Sequence, residues 1–143
     1  MLVFWFLFFR EGPKQEKQRN ILLLTLLGAF VAISVALLVN TTFPFIPRPY
    51  VNGELSLTPL IGLPAEAGSG LFFVSSFPSD TAALFFAIAA GIFWVSRPVG
   101  ICMLIYTAIF IAFPRIYLRL HYPTDILAGA LIGFQLCSFM PLV

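Results

Sequence analysis

From Ile21 to Val39 the chain runs without a charge (ILLLTLLGAFVAISVALLV). About 20 such residues, rising about 1.5 Å each in a helix, cross a hydrocarbon core roughly 30 Å thick. Three further apolar runs follow: Thr81 to Val95, Val99 to Phe113 and Ile126 to Val143. The pattern predicts four membrane-spanning helices, the second and third short unless flanking residues extend them. Only SRP separates those two, which predicts a tight helical hairpin. Met1 to Phe9 (MLVFWFLFF) is also apolar but covers less than half a membrane. It has no basic region before it and no small-residue cleavage site after it, so it reads as a stub rather than a signal peptide. Such a stub is either the tail of a spanning helix or a segment lying at the interface.

Composition agrees with the pattern. The chain is 60% hydrophobic and 10% charged, with a mean hydropathy of +1.00. Soluble domains carry about a quarter charged residues, so this composition predicts an integral membrane protein. The expected fold is all-α, a multi-pass transmembrane helical bundle of about four spans forming one domain over residues 1–143. The net charge of +2 is too small to suggest nucleic acid as a partner. Cys102 and Cys137 both lie in apolar runs and read as small core residues, not as a disulfide or metal ligands.

The sparse charges are unevenly placed. Arg10, Lys14, Lys17, Arg19 and Arg97 fall on one side of the predicted spans, and Arg48, Arg115 and Arg119 on the other. The positive-inside rule puts the first group in the cytoplasm. The Pro- and Gly-rich loop from Asn40 to Ser79 then faces outward with the segment around His121. Loops of that length in a compact domain are usually functional or mobile.

His121 is the only histidine. Three polar segments converge on its side of the membrane: PRPY with Arg48, SFPSDT with Ser79 and Asp80, and RIYLRLHYPTD with Arg115, Arg119, His121 and Asp125. Pro123 suits the first turn of the last helix, where a missing amide costs nothing. Asp125 then lies in that first turn, able to accept a proton from one ring nitrogen of His121 and leave the other free as nucleophile or base. The start of the helix after FPS offers backbone amides and a positive dipole end to an anion, with the Ser79 hydroxyl as a further donor. Arg48 and Arg115 can fork onto phosphate oxygens. Plainer readings stay open beside these: Ser79 as an N-cap, Asp125 as a helix-start anion, and each arginine as an interfacial anchor.

Taken together these groups suit phosphoryl transfer through a covalent phosphohistidine. The imidazole attacks phosphorus, arginines and amides hold the equatorial oxygens, and an acid protonates the leaving oxygen. That chemistry calls for no metal and no cofactor, and the sequence has no carboxylate cluster or histidine pair to hold a metal.

These residues resemble the type 2 phosphatidic acid phosphatase (PAP2) family, whose motifs run K-x6-R-P, P-S-G-H and S-R-x5-H-x3-D. Arg115, His121 and Asp125 match the third motif in spacing, Arg48-Pro49 the end of the first, and Pro78-Ser79 the start of the second. The resemblance runs from about Ile21 to Val143. It implies His121 as nucleophile, Asp125 as its orienter, and Arg48, Ser79 and Arg115 as phosphate binders. The family's usual six spans would leave this chain lacking the first and most of the second.

Three positions depart from the family pattern. Thr41 stands where the lysine belongs, Thr81 where the second motif's histidine belongs, and Pro114 before Arg115. The resemblance assigns leaving-group protonation to that missing histidine, and a threonine hydroxyl is too weak an acid to replace it. Asp80 is the natural substitute, because a bound phosphate beside it would raise its pKa toward the range a general acid needs. Arg119 could pair with Asp80 or touch a headgroup.

The resulting expectation is a metal-independent lipid phosphate or diphosphate phosphatase. It would work at the outer face of a bacterial cytoplasmic membrane, with diphosphate lipids such as undecaprenyl diphosphate as the most compatible substrates. Two alternatives use the same residues: a PAP2-like protein that binds lipid phosphates without turnover, and a lipid phosphotransferase. Gly129 and Gly133 in AGALIG read as close helix packing within the chain, and Tyr50, Tyr117 and Tyr122 as interfacial residues.

Overall fold

The computed structural model describes residues 13–50, 52 and 75–139. Among them the chain is all helical. Helix α1 runs Pro13–Thr42, α2 Asp80–Val95, α3 Arg97–Tyr106, α4 Phe113–Tyr117 and α5 Pro123–Phe139. A six-residue π segment, Thr107–Ala112, joins α3 to α4. The Met1 to Phe9 stub and most of the Asn40 to Ser79 loop lie outside the described residues.

All four predicted spans are helical where they are described. Glu16–Thr42 and Arg97–Tyr117 are long and apolar enough to cross a membrane, while Asp80–Val95 is apolar but shorter. The predicted hairpin forms with Ser96 alone between its helices. Its amide donates to the Ile92 carbonyl and its own carbonyl accepts from Gly100, so one residue ends α2 and starts α3.

The π segment explains how the third span passes a proline. The ring of Pro114 removes a donor and crowds the carbonyl four residues earlier. Just upstream the helix widens, with the Phe113 amide reaching back to the Ala108 carbonyl, and the helix continues through Pro114 to Tyr117. That extension carries Arg115 on the last turn instead of in a loop.

Small residues set the packing. Ala29, Ala32 and Ala36 on α1, Ala83, Ala87 and Ala90 on α2, and Cys137 on α5 form the buried core. In a bilayer water does not drive helices together, so close backbone approach and dispersion must do so, and small side chains permit both. Gly129 and Gly133 lie against α2 within the same chain. A Cβ on Gly129 would overlap the Ser79 carbonyl oxygen, and one on Gly133 the Ala83 carbonyl oxygen. Cys137 is buried as expected, whereas Cys102 lies on the exposed face of α3.

Because the obstacle at Gly133 is backbone, Gly133→Val is expected to destabilise the bundle by about 1–3 kcal/mol or more. Thermal unfolding in detergent checks this. An unchanged melting temperature would mean that α2 and α5 are not held at this distance.

Candidate functional site

A tight reversal delivers His121 to its position. After α4 the Leu120 amide bonds to the Arg115 carbonyl and the Arg119 amide to the Ile116 carbonyl. This is the Schellman arrangement that closes many helices. It places Arg119 in the left-handed region, with φ 60°, a conformation usually left to glycine. The Arg115 carbonyl also receives the His121 amide at 3.3 Å, and the Arg119 carbonyl receives the Tyr50 amide, tying the PRPY loop to the same turn.

Asp125 has two jobs at the head of α5. Its Oδ2 accepts from the Tyr122 amide at 2.9 Å, the reach of an N3 carboxylate back to the residue that starts a helix. The same oxygen accepts from the Ser76 hydroxyl at 2.5 Å. Asp125 is 1% exposed and His121 5%, so neither exchanges these partners for bulk water.

The histidine ring is held at both nitrogens. Nδ1 lies 2.9 Å from the Ser76 carbonyl oxygen, an acceptor only, so the proton belongs on Nδ1. Nε2 therefore carries the lone pair, and Nη1 of Arg48 stands 3.4 Å from it while also donating to the Leu120 carbonyl. The Asp125 carboxylate is 3.7 Å from Nδ1. It lies beside the ring, outside hydrogen-bond range, so the sequence expectation of a direct aspartate–histidine bond gives way to a bond through Ser76.

The Arg48 guanidinium borders this ring, and Arg115 is close enough to Arg48 to act on its charge. The Nε atoms of Arg48 and Arg115 are both buried without a hydrogen-bond partner. Burial pulls the Arg48 pKa below its ordinary value; Tyr50, Asp80 and Asp125 act against that fall and Arg115 adds to it. The group stays a cation, since arginine titrates far above neutrality. Asp125 precedes the apolar run that begins at Ile126. Burial disfavours its charge, but contacts with His121, the Ser76 hydroxyl and the Tyr122 amide outweigh that and hold its pKa below the usual value.

Asp80 is exposed and lines one cleft with Arg48, His121, Asn40, Ser75, Pro78, Ala36 and Leu37. Its Oδ1 accepts from the amide of Thr81 at 2.6 Å and from the Thr81 hydroxyl at 3.1 Å. Ser79 is fully buried and caps α2, its hydroxyl oxygen accepting from the Ala82 amide. The Ser79 amide donates to the Asp125 carbonyl, which links the starts of α2 and α5. Three donors expected at the helix start, the amides of Ser79, Thr81 and Ala82, are thus already engaged. The Ser79 hydroxyl proton remains available. Thr41, at the place of the family's lysine, is exposed and returns its hydroxyl to the Leu38 carbonyl of its own helix.

Two residues of this region escape sequence reasoning. Ser76 touches both His121 and Asp125, but in the SFPSDT segment only Ser79 and Asp80 drew a role. Asn40 had shown only as the start of the outward loop. Its side-chain amide donates to the Ser75 and Phe77 carbonyls, fixing the segment that carries Ser76 against the end of α1. The sole signal for either was a polar side chain at the end of an apolar run. Among the described residues, no three His, Cys, Asp or Glu side chains gather as ligands of a metal would.

Comparison with known proteins bears on this geometry. Residues 56–143 match the PAP2 superfamily, a stretch that includes Ser79, Asp80, Arg115, His121 and Asp125. Over 66 residues the chain is 42% identical to the bacitracin transport permease protein BcrC of Bacillus licheniformis, covering 46% of this chain and 32% of that protein. The match thus spans about a third of the length of that curated relative. No solved structure matches.

Proposed function

Because this chain belongs to the PAP2 superfamily, we propose that it is a multi-pass membrane phosphatase that hydrolyses lipid phosphates or diphosphates through a phosphohistidine on His121. One observation carries the reading: Nδ1 of His121 is committed to a carbonyl, and the Nε2 lone pair faces the Arg48 guanidinium in the cleft, a contact that a bound phosphoryl group would take over. An imidazole set this way is a nucleophile whose target sits next to a cation, where the phosphoryl oxygens of a substrate belong.

Arg48, Arg115 and the Ser79 hydroxyl bind the phosphoryl oxygens. Nε2 attacks phosphorus, the bond to the leaving oxygen breaks, and Asp80 in its acid form gives that oxygen a proton. A water then attacks the phosphohistidine and passes a proton to the Asp80 carboxylate. Phosphate departs and Nε2 regains its lone pair, while Nδ1 keeps its proton, donated to the Ser76 carbonyl, throughout. With Thr81 at the place of the family's histidine, a leaving group that is itself a phosphate needs less protonation than an alkoxide and suits this site better.

The cleft supports a lipid substrate, because its polar side chains Arg48, Asp80 and His121 meet an apolar wall of Ala36, Leu37 and Pro78. The apolar runs support four spans, and the bias of basic residues supports the His121 side facing outward. The bond from Thr81 to Asp80 favours a second reading, a lipid-phosphate binder, if it keeps Asp80 from the leaving group.

Phosphate release from a polyprenyl diphosphate by the purified protein, in chelator, tests the proposal. Release at catalytic rates is expected. Binding without release would leave the binder reading, and transfer to an added acceptor in place of water would make the protein a phosphotransferase.

A further inference from the structure

Ser76 is fully buried on the segment before α2, and it meets His121 and Asp125 with different atoms. Its hydroxyl has one proton and two close neighbours, of which Nδ1 carries a proton of its own. Asp125 Oδ2 is at 2.5 Å and His121 Nδ1 at 3.5 Å, so the proton goes to the carboxylate. Its carbonyl, 2.9 Å from Nδ1, takes the ring proton. The carboxylate is left 3.7 Å from the ring.

We propose that Ser76 is a positioning residue, whose hydroxyl draws the Asp125 carboxylate off the imidazole while its carbonyl fixes the Nδ1–H tautomer. Asp125 then sets His121 through Ser76. The inference rests on the reading of His121 as phosphoryl acceptor, and it has a chemical purpose there. A carboxylate bonded directly to an imidazole favours the imidazolium, which has no lone pair for phosphorus. Sharing the carboxylate charge with the Ser76 hydroxyl and the Tyr122 amide weakens that pull. A carbonyl fixes the tautomer just as well without adding a full negative charge.

The other ionisable groups around the ring stay in place when Ser76 is changed. Arg48 faces Nε2 from the loop after α1, Asp80 lines the same cleft from the head of α2, and Arg115 stands at the end of α4. Both arginines oppose a charged imidazole and Asp80 favours one. Removing the Ser76 hydroxyl leaves their balance as it was and frees the Asp125 carboxylate to turn onto Nδ1.

With one histidine in the chain, nuclear magnetic resonance of isotope-labelled histidine reads this ring alone. In Ser76→Ala the titration midpoint of His121 is expected to rise by about half a pH unit or more. The acid limb of the rate profile should move upward with it, kcat on that limb falling by about threefold for each half unit with KM little changed. Ser76→Gly, which keeps the carbonyl and adds no bulk, should give the same rise and serves if the alanine variant does not fold. An unchanged or lowered midpoint in a folded variant overturns the proposal. The titration needs no turnover, so a protein that released no phosphate would sink the phosphatase reading and still report on Ser76.

Discussion

His121→Ala is expected to take phosphate release from a lipid diphosphate to background, a fall on the order of 10⁴-fold or more. Among the described residues of the cleft no other side chain is an imidazole. The chain has no second histidine, and Ser76 is fully buried with its hydroxyl donating to Asp125. Asp80 is an acid in this scheme, and attack through its oxygen would leave the departing group without a proton. Removing the ring also leaves the Ser76 carbonyl without its donor, which costs about 1–3 kcal/mol if the site stays dry. Thermal unfolding therefore belongs beside the rate measurement. A variant that stays folded and keeps its release would remove His121 from the chemistry.

The second large effect depends on the leaving group. Asp80→Asn should slow hydrolysis of an alkyl phosphate by about 10²- to 10⁴-fold, because an amide has no proton to give. A diphosphate substrate should suffer less, since its leaving phosphate is stable with less protonation. Asn keeps a carbonyl oxygen for the Thr81 amide and hydroxyl, and the residue is exposed, so the fold should survive. Rates on paired substrates decide the matter. An equal loss on both would make Asp80 a binding group, and no loss on either would leave the leaving oxygen to water.

The bundle was legible because apolar runs register directly as helices, and Ser96 shows how little chain a hairpin requires. The spacing of Arg115, His121 and Asp125 was legible for a related reason. It encodes a helix end, a reversal and a helix start that follow one another along the chain. The path between Arg115 and His121 was less so, since nothing in the sequence marks Arg119 for the left-handed residue of a Schellman turn. The route from Asp125 to His121 was hidden for another reason. Ser76 meets them across 45 and 49 residues, and packing across such separations leaves no local pattern. Asn40 reaches Ser75 and Phe77 in the same way. Cys102 went astray more simply, since an apolar run does not say which of its residues face the lipid.

The central claim is that phosphate passes through His121, and trapping it there is the most direct test. The protein is mixed with a lipid diphosphate carrying labelled terminal phosphate and quenched in alkali, where phosphohistidine survives. A label bound to the chain, lost on brief acid treatment and absent from His121→Ala, is the predicted result. Sustained phosphate release with no such label under rapid quench would contradict the account.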